Sequence, residues 1–257
     1  MELSHWAGLA ATTFVAALLQ AAGGFGFAVL AAPLFLLFLD PPRAIQLVII
    51  VTTALSTVVL PGLRRAIAPD LLVRLAVGSL AGLPLGLIAF RHTDPVPVRV
   101  AVGVIILAFA MLLGLSRRRR RGRTQAPFRM SPGLDLTAGA ISGIATALVG
   151  MAGPPVLIYL LLARASPRTV RATLLSFFAL SYAATLVTHL LTIGIPAATW
   201  LAAGILIPFA FLGGFVGRPL GDRLGAKAFA MLATALLTIA GLYTLAAAAV
   251  DLAARTE

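Results

Sequence analysis

Gly23-Gly24-Phe25-Gly26-Phe27 breaks one long apolar stretch of this chain, and Gly150-Met151-Ala152-Gly153-Pro154-Pro155 breaks another. Each break is followed by a short apolar piece, a Pro-Arg corner (Pro42-Arg43, Pro167-Arg168) and a longer apolar segment carrying Ser and Thr. A glycine inside a helix forfeits roughly 1 kcal/mol against alanine. Matching breaks in two halves of one chain therefore point to a shared purpose. In membrane transporters, paired interrupted helices mark a binding site near the bilayer midplane.

Composition sets the solvent. Hydrophobic residues make up 60% of the chain and charged residues 11%, against about 25% charged in soluble domains. Mean hydropathy is +1.04. Together these predict a polytopic helical membrane protein. The net charge of +12 does not read as nucleic-acid binding, because the arginines sit at the ends of apolar segments, where the positive-inside rule collects them. There is no cysteine, hence no disulfide or thiol chemistry. The N-terminus opens on Glu2 without a basic run, so no signal peptide is expected.

The apolar segments read as 5–22, 27–39, 43–62, 70–90 and 97–115, then 134–149, 154–163, 168–190, 197–218 and 227–250. Joined into one helix, residues 5–39 would span about 52 Å at 1.5 Å per residue, too long for a bilayer core of about 30 Å. The chain must turn back near the glycines. Charge tests this independently. With five crossings per half, one side of the membrane holds Arg64, Arg65, Arg74, Arg117 to Arg121, Arg123, Arg129, Arg164, Arg168, Arg171, Arg218, Arg223 and Lys227. That is sixteen of the 20 basic residues, and the other side holds Arg43, Arg91, Arg99 and Arg255. Four crossings per half would divide them almost evenly, which the positive-inside rule disfavours.

An odd number of crossings makes the second half enter from the opposite side, giving an inverted repeat. The fold expected is all-α, with about ten membrane segments: a first transmembrane repeat at 1–115, a basic cytoplasmic linker at 116–133 and a second repeat at 134–257. Both termini are then outside, and the chain is an integral protein of the plasma or bacterial inner membrane. Aligning Pro42-Arg43 with Pro167-Arg168 sets Ser56 on Ser181 and brings Gly26 close to Gly153. The pattern G-x-x-x-G-x-P-x-G also recurs, at Gly78–Gly86 and Gly213–Gly221. For Gly78, Gly82 and Gly86 the reading is close helix packing.

The two short pieces after the breaks are too short to cross alone, so each begins at its break and runs to one face. A helix N-terminus leaves its first N–H groups unpaired and carries about half a positive charge. Two such ends meeting at the membrane centre would bind a small oxyanion without a basic side chain. The binding candidates are Gly23, Gly24, Phe25 and Gly26 at the first break, with Gln20 just before it. At the second they are Gly150, Met151, Ala152 and Gly153, with Tyr159 on the piece that follows. Ser56 and Thr57, then Ser181 and Tyr182, add hydroxyls from the helices after the corners. Such hydroxyls equally serve to bond the i−4 carbonyl or join helices.

Other chemistry finds no support. All eight acidic residues, Asp135 among them, lie at termini or segment ends, so no mid-membrane carboxylate relay is expected. Arg74, one turn inside its segment, reads as snorkelling to the interface. His5, His92 and His189 show no metal-ligand spacing, and no nucleophile–base pair is legible. No cofactor, metal or enzymatic activity is expected.

Gly23-Gly24-Phe25-Gly26 with Pro33 beyond it, the Pro41-Pro42-Arg43-Ala44 corner and the Gly150-x-x-Gly153 break with its own Pro-Arg corner resemble the TauE/SafE family of sulfite exporters and related anion permeases. The resemblance covers nearly the whole chain. It implies secondary transport of sulfite, an organosulfonate or a similar small sulfur anion. An anion channel and a non-transporting membrane scaffold remain the alternatives. Substrate, coupling ion, direction of flux and oligomeric state are not legible.

Overall fold

A computed structural model of the protein describes residues 3–59, 68–92, 94–119, 131–163, 165–223 and 226–253. The inner part of the basic linker and both chain ends lie outside these residues. The described residues form ten α-helices and no strand: α1 (Leu3–Gly23), α2 (Phe27–Phe35), α3 (Pro41–Val59), α4 (Pro69–His92), α5 (Pro95–Arg119), α6 (Pro132–Val149), α7 (Gly153–Leu162), α8 (Pro167–Thr192), α9 (Ala197–Arg223) and α10 (Ala226–Ala253). Proline opens α3, α4, α5, α6 and α8; it suits a first turn, whose N–H groups have no helical acceptor. The Pro corners of the sequence are thus helix starts. Ser131 and Ser166 cap α6 and α8 by accepting the N–H of Leu134 and Thr169.

Six helices, α1, α3, α4, α6, α8 and α9, are long and apolar enough to cross a membrane. Their outer faces suit lipid. On α4, Val73, Val77, Leu80, Leu85 and Ile88 are exposed, while Leu71, Leu75, Gly78, Gly82 and Gly86 turn inward. This is an integral membrane protein.

The glycine pattern packs helices, as read. A Cβ on Gly78 or Gly82 would stand 2.1 Å from the carbonyl oxygen of Leu136 or Ala140, and one on Gly143 would stand 2.1 Å from that of Ser79. So α4 and α6 lie backbone against backbone, running parallel. The second copy of the pattern does the same between α9 and α1: Gly213 meets Phe14 and Gly217 meets Leu18, again in parallel. By contrast α5 and α10 are antiparallel, with Gly103 against Leu245 and Gly241 against Leu107. So are α3 and α8, since Gln46 near the start of α3 bonds the Gly194 carbonyl just past the end of α8 at 3.0 Å.

Both breaks reverse the chain. The Ser142 hydroxyl bonds the Ala152 carbonyl, and the Tyr159 hydroxyl bonds the Asp135 carboxylate. From the first pair to the second, each arm advances equally (142 back to 135, 152 on to 159), so α7 returns along α6. At the first break Phe27 N–H meets the Gln20 side chain, and further along the ring of Phe38 lies over Gly8. Thus α2 returns along α1. Helix α2 ends at Phe35, short of the expected 39, and residues 36–39 finish as turns, with Leu37 N–H on Leu34 O at 3.3 Å.

Candidate functional site

At the first break Gly24 and Gly26 have φ of 83° and 124°, in the left-handed region that favours glycine. Their surroundings differ. A Cβ on Gly24 would lie 2.7 Å from Cγ and 2.9 Å from Cα of Arg171, whereas one on Gly26 would meet only Leu19 Cβ at 3.6 Å. Gly24 is therefore a contact with α8, whereas Gly26 has room for a methyl group in ordinary contact with Leu19. Gln20 is 1% exposed. Its Oε1 accepts the Phe27 N–H at 3.3 Å, while its Nε2 is buried without a partner. The Leu30 N–H is the first of α2 to bond a helical carbonyl, that of Gly26 at 3.0 Å. The N–H groups of Ala28 and Val29 precede it, at the open end of the helix.

At the second break Gly150 ends α6 in the left-handed conformation, φ 71°. The Tyr182 hydroxyl closes this loop, donating to Gly150 O at 2.8 Å and accepting the Ala152 N–H at 3.2 Å. Pro154 and Pro155 carry no N–H, so the first turn of α7 offers Gly153 alone.

The two breaks share one cavity. Gln20, Phe25 and Gly26 line it from the first, Ala28 and Val29 from the start of α2, Gly153 from the second, and Phe178 and Tyr182 from the middle of α8. Its volume is about 10 Å³, room for a single water. Anything larger fits only if the surrounding helices move. A wider basin of about 430 Å³ lies elsewhere, where the start of α3 (Asp40, Arg43, Gln46) faces Ile193, Gly194 and Pro196.

Of the residues named from the sequence, Gln20, Phe25, Gly26, Gly153 and Tyr182 come together at the cavity. Gly23, Gly24, Gly150, Met151 and Ala152 form the breaks behind it. Tyr182 apart, the hydroxyls named on the helices after the corners are engaged elsewhere. Ser56 bonds Thr52 O at 2.8 Å, and Thr57, exposed, bonds Ala54 O at 2.7 Å. Ser181 meets Ser79 at 2.9 Å and Thr146 at 3.4 Å, joining α8 to α4 and α6. Tyr159 bonds Asp135 at the far end of α7.

Three charged residues depart from expectation. Arg171, counted with the loops, lies one turn inside α8 behind the first break, where its Nη2 donates to the Ala21 carbonyl. Asp135 is fully buried although its position looks like a segment end. Arg74 does not simply snorkel, because its Nε donates to Asp135 Oδ2 at 2.6 Å. The partner stands far off in sequence, so only the close α4–α6 contact made by the glycines reveals the pair. Among the described residues no cluster of His, Asp or Glu could hold a metal ion.

Broken hairpins packed among spanning helices define the class, a polytopic α-helical membrane protein with a small, mostly apolar cavity inside that Gln20 and Tyr182 border. The chain matches the sulfite exporter TauE/SafE family over residues 9–244, and it belongs to that transporter family. No match was found among curated proteins or among solved structures.

Proposed function

We propose that this protein is a secondary transporter of a small oxyanion, sulfite or an organosulfonate, bound between the two breaks and carried by alternating access. The observation that carries this reading is Gln20 Nε2, a buried donor without a partner at the rim of the cavity. A buried donor left unmade costs on the order of 1–3 kcal/mol, and an oxyanion beside it would satisfy that donor.

Electrostatics support an anion. Each break sets the carbonyl end of one helix beside the N–H end of the next, so partial charges of opposite sign adjoin. At both breaks a donor covers the carbonyl side: Arg171 on Ala21 O, Tyr182 on Gly150 O. The N–H ends of α2 and α7 remain toward the cavity. Gln20, Gly26 and Gly153 are the residues we assign to the anion, with Tyr182 shaping the second break.

The packing supports two inverted five-helix repeats, 1–115 and 134–257, joined by the linker 116–133. Exchanging α1–α5 with α6–α10 maps the α4–α6 contact onto α9–α1 and maps α3–α8 and α5–α10 onto themselves. Those self-paired helices are antiparallel, as an axis in the membrane plane requires. The charge bias then sets the linker in the cytoplasm and both termini outside. A cavity closed to one water favours a carrier over an open channel.

Counterflow tests transport. Vesicles loaded with unlabelled sulfite should take up labelled sulfite transiently and with saturation when they hold the protein, but not when they are empty. Uptake proportional to concentration without saturation would indicate a channel, and no uptake a scaffold.

A further inference from the structure

Asp135 is the one acidic side chain fully buried among the described residues, and the proposed anion site makes no use of it. It lies in the first turn of α6. Arg74 on α4 donates to Oδ2 at 2.6 Å, and Tyr159 on α7 donates to Oδ1. The Arg74 side chain is 36% exposed and that of Asp135 is not exposed at all. The cluster thus reaches from the edge of the helix bundle to the far end of α7, whose near end is Gly153 at the cavity.

The corresponding place in the first half is uncharged. The contacts of Gly82 with Ala140 and of Gly217 with Leu18 set Asp135 against Thr13 and Arg74 against Phe209. Thr13 only bonds its own helix, at Leu9 O, 2.7 Å. One return helix is tied by charge, the other by apolar packing of Phe38 on Gly8.

Among the described residues, the other charged or titratable groups on the neighbouring helices have settings of their own. Asp70, one turn before Arg74, is exposed; Arg171 serves Ala21; and His189 lies at the far end of α8 against Phe90, ring centroids 5.0 Å apart. A shift of α7 or α4 along α6 would strip Asp135 of a donor and leave an ionised carboxylate under-paired in a dry interior, a strongly unfavourable state. Taking a proton from water on the side that Arg74 faces turns the carboxylate into a neutral acid and removes that obstacle.

We propose that Asp135 is a proton-binding site of the transport cycle: ionised, it latches α7 to α4 and α6; protonated, it lets α7 move. The inference rests on the reading that α7 lines the anion site. Its consequence is that opening toward the Arg74 side takes up one proton.

The test uses the full chain in detergent and no substrate. The native protein has no cysteine, so Val156→Cys, at a fully buried position on α7 between latch and cavity, gives one reporter for a small maleimide. Its labelling rate is compared with that of Val156→Cys combined with Asp135→Asn. The ratio of the two rates cancels the thiol's own pH dependence. We expect labelling to be several-fold slower with Asp135 than with Asn at mildly alkaline pH, and the two rates to converge at acid pH. A ratio of one throughout, or a ratio below one that ignores pH, overturns the proposal. So does a matching increase at Val51→Cys on α3, which would report general loosening. Sulfite counterflow with the same variants reconstituted into vesicles separates the claims. Counterflow retained with flat labelling removes only the proton site; pH-linked labelling without counterflow removes the transport reading.

Discussion

Gln20 Oε1 accepts the N–H of Phe27 at 3.3 Å across the first break, so one side chain both starts α2 and holds a second, unpaired donor at the cavity. Gln20→Leu removes both functions. A hydrogen bond to a charged partner contributes about 1.5–3 kcal/mol, so sulfite binding should weaken by roughly tenfold or more per folded molecule. Gln20→Glu should bind still less, because its carboxylate repels the anion. Calorimetric titration of sulfite into purified variants reads both. Unchanged affinity in Gln20→Leu would remove Gln20 from the site.

The two left-handed glycines should part company. Both substitutions carry the strain of a non-glycine residue at positive φ, about 1–3 kcal/mol. Gly24→Ala also drives a methyl into the Arg171 backbone, 2.9 Å away. Gly24→Ala should therefore lower the melting temperature more, while Gly26→Ala should lose sulfite affinity beyond its loss of stability. Equal losses of both quantities in both variants would contradict this division.

How far the sequence announced these features varies with their physical cause. The breaks were legible because glycines in an apolar run have a known helical penalty, and because 5–39 is too long for one crossing. The packing role of Gly78, Gly82 and Gly86 followed from their spacing. The hydroxyls divide: Tyr182 borders the cavity, while Ser56 and Thr57 bond carbonyls of their own helix. A helical wheel assigns Ser56 and Thr57 to a face, but it is blind to the carbonyls of Thr52 and Ala54 that claim their protons. Asp135 was equally hidden. Its place near a helix start reads as solvated until α4 closes over it and supplies Arg74.

Arginine behaviour should follow position rather than count. Arg171 offsets the carbonyl end of α1 at the break, so Arg171→Gln should weaken sulfite binding several-fold even though the residue does not line the cavity, with Arg171→Lys recovering part of it. Arg43, exposed and 3.4 Å from Asp40, should be replaceable by Gln with affinity unchanged, since exposed pairs contribute about 0–1 kcal/mol. Titration of the three variants at equal folded concentration checks this. A larger loss in Arg43→Gln than in Arg171→Gln would reverse the assignment.

Gly82→Ala offers the contrasting case of pure packing. Its methyl would lie 2.1 Å from Ala140 O, forcing α4 from α6 at a cost of about 1–3 kcal/mol. Thermal stability should fall, and counterflow should fall only in proportion to folded protein. Transport lost while stability is kept would show that this interface does more than pack.

Where the anion sits is the central question, and selenite answers it directly. This heavier analogue of sulfite can be diffused into crystals of the protein and located by the anomalous scattering of selenium. The predicted peak lies between Gly26 and Gly153, within hydrogen-bonding reach of Gln20 Nε2, with the helices around it moved apart to admit it. A peak confined to the basin between Arg43 and Gly194, with the cavity at the breaks left closed, would contradict the account.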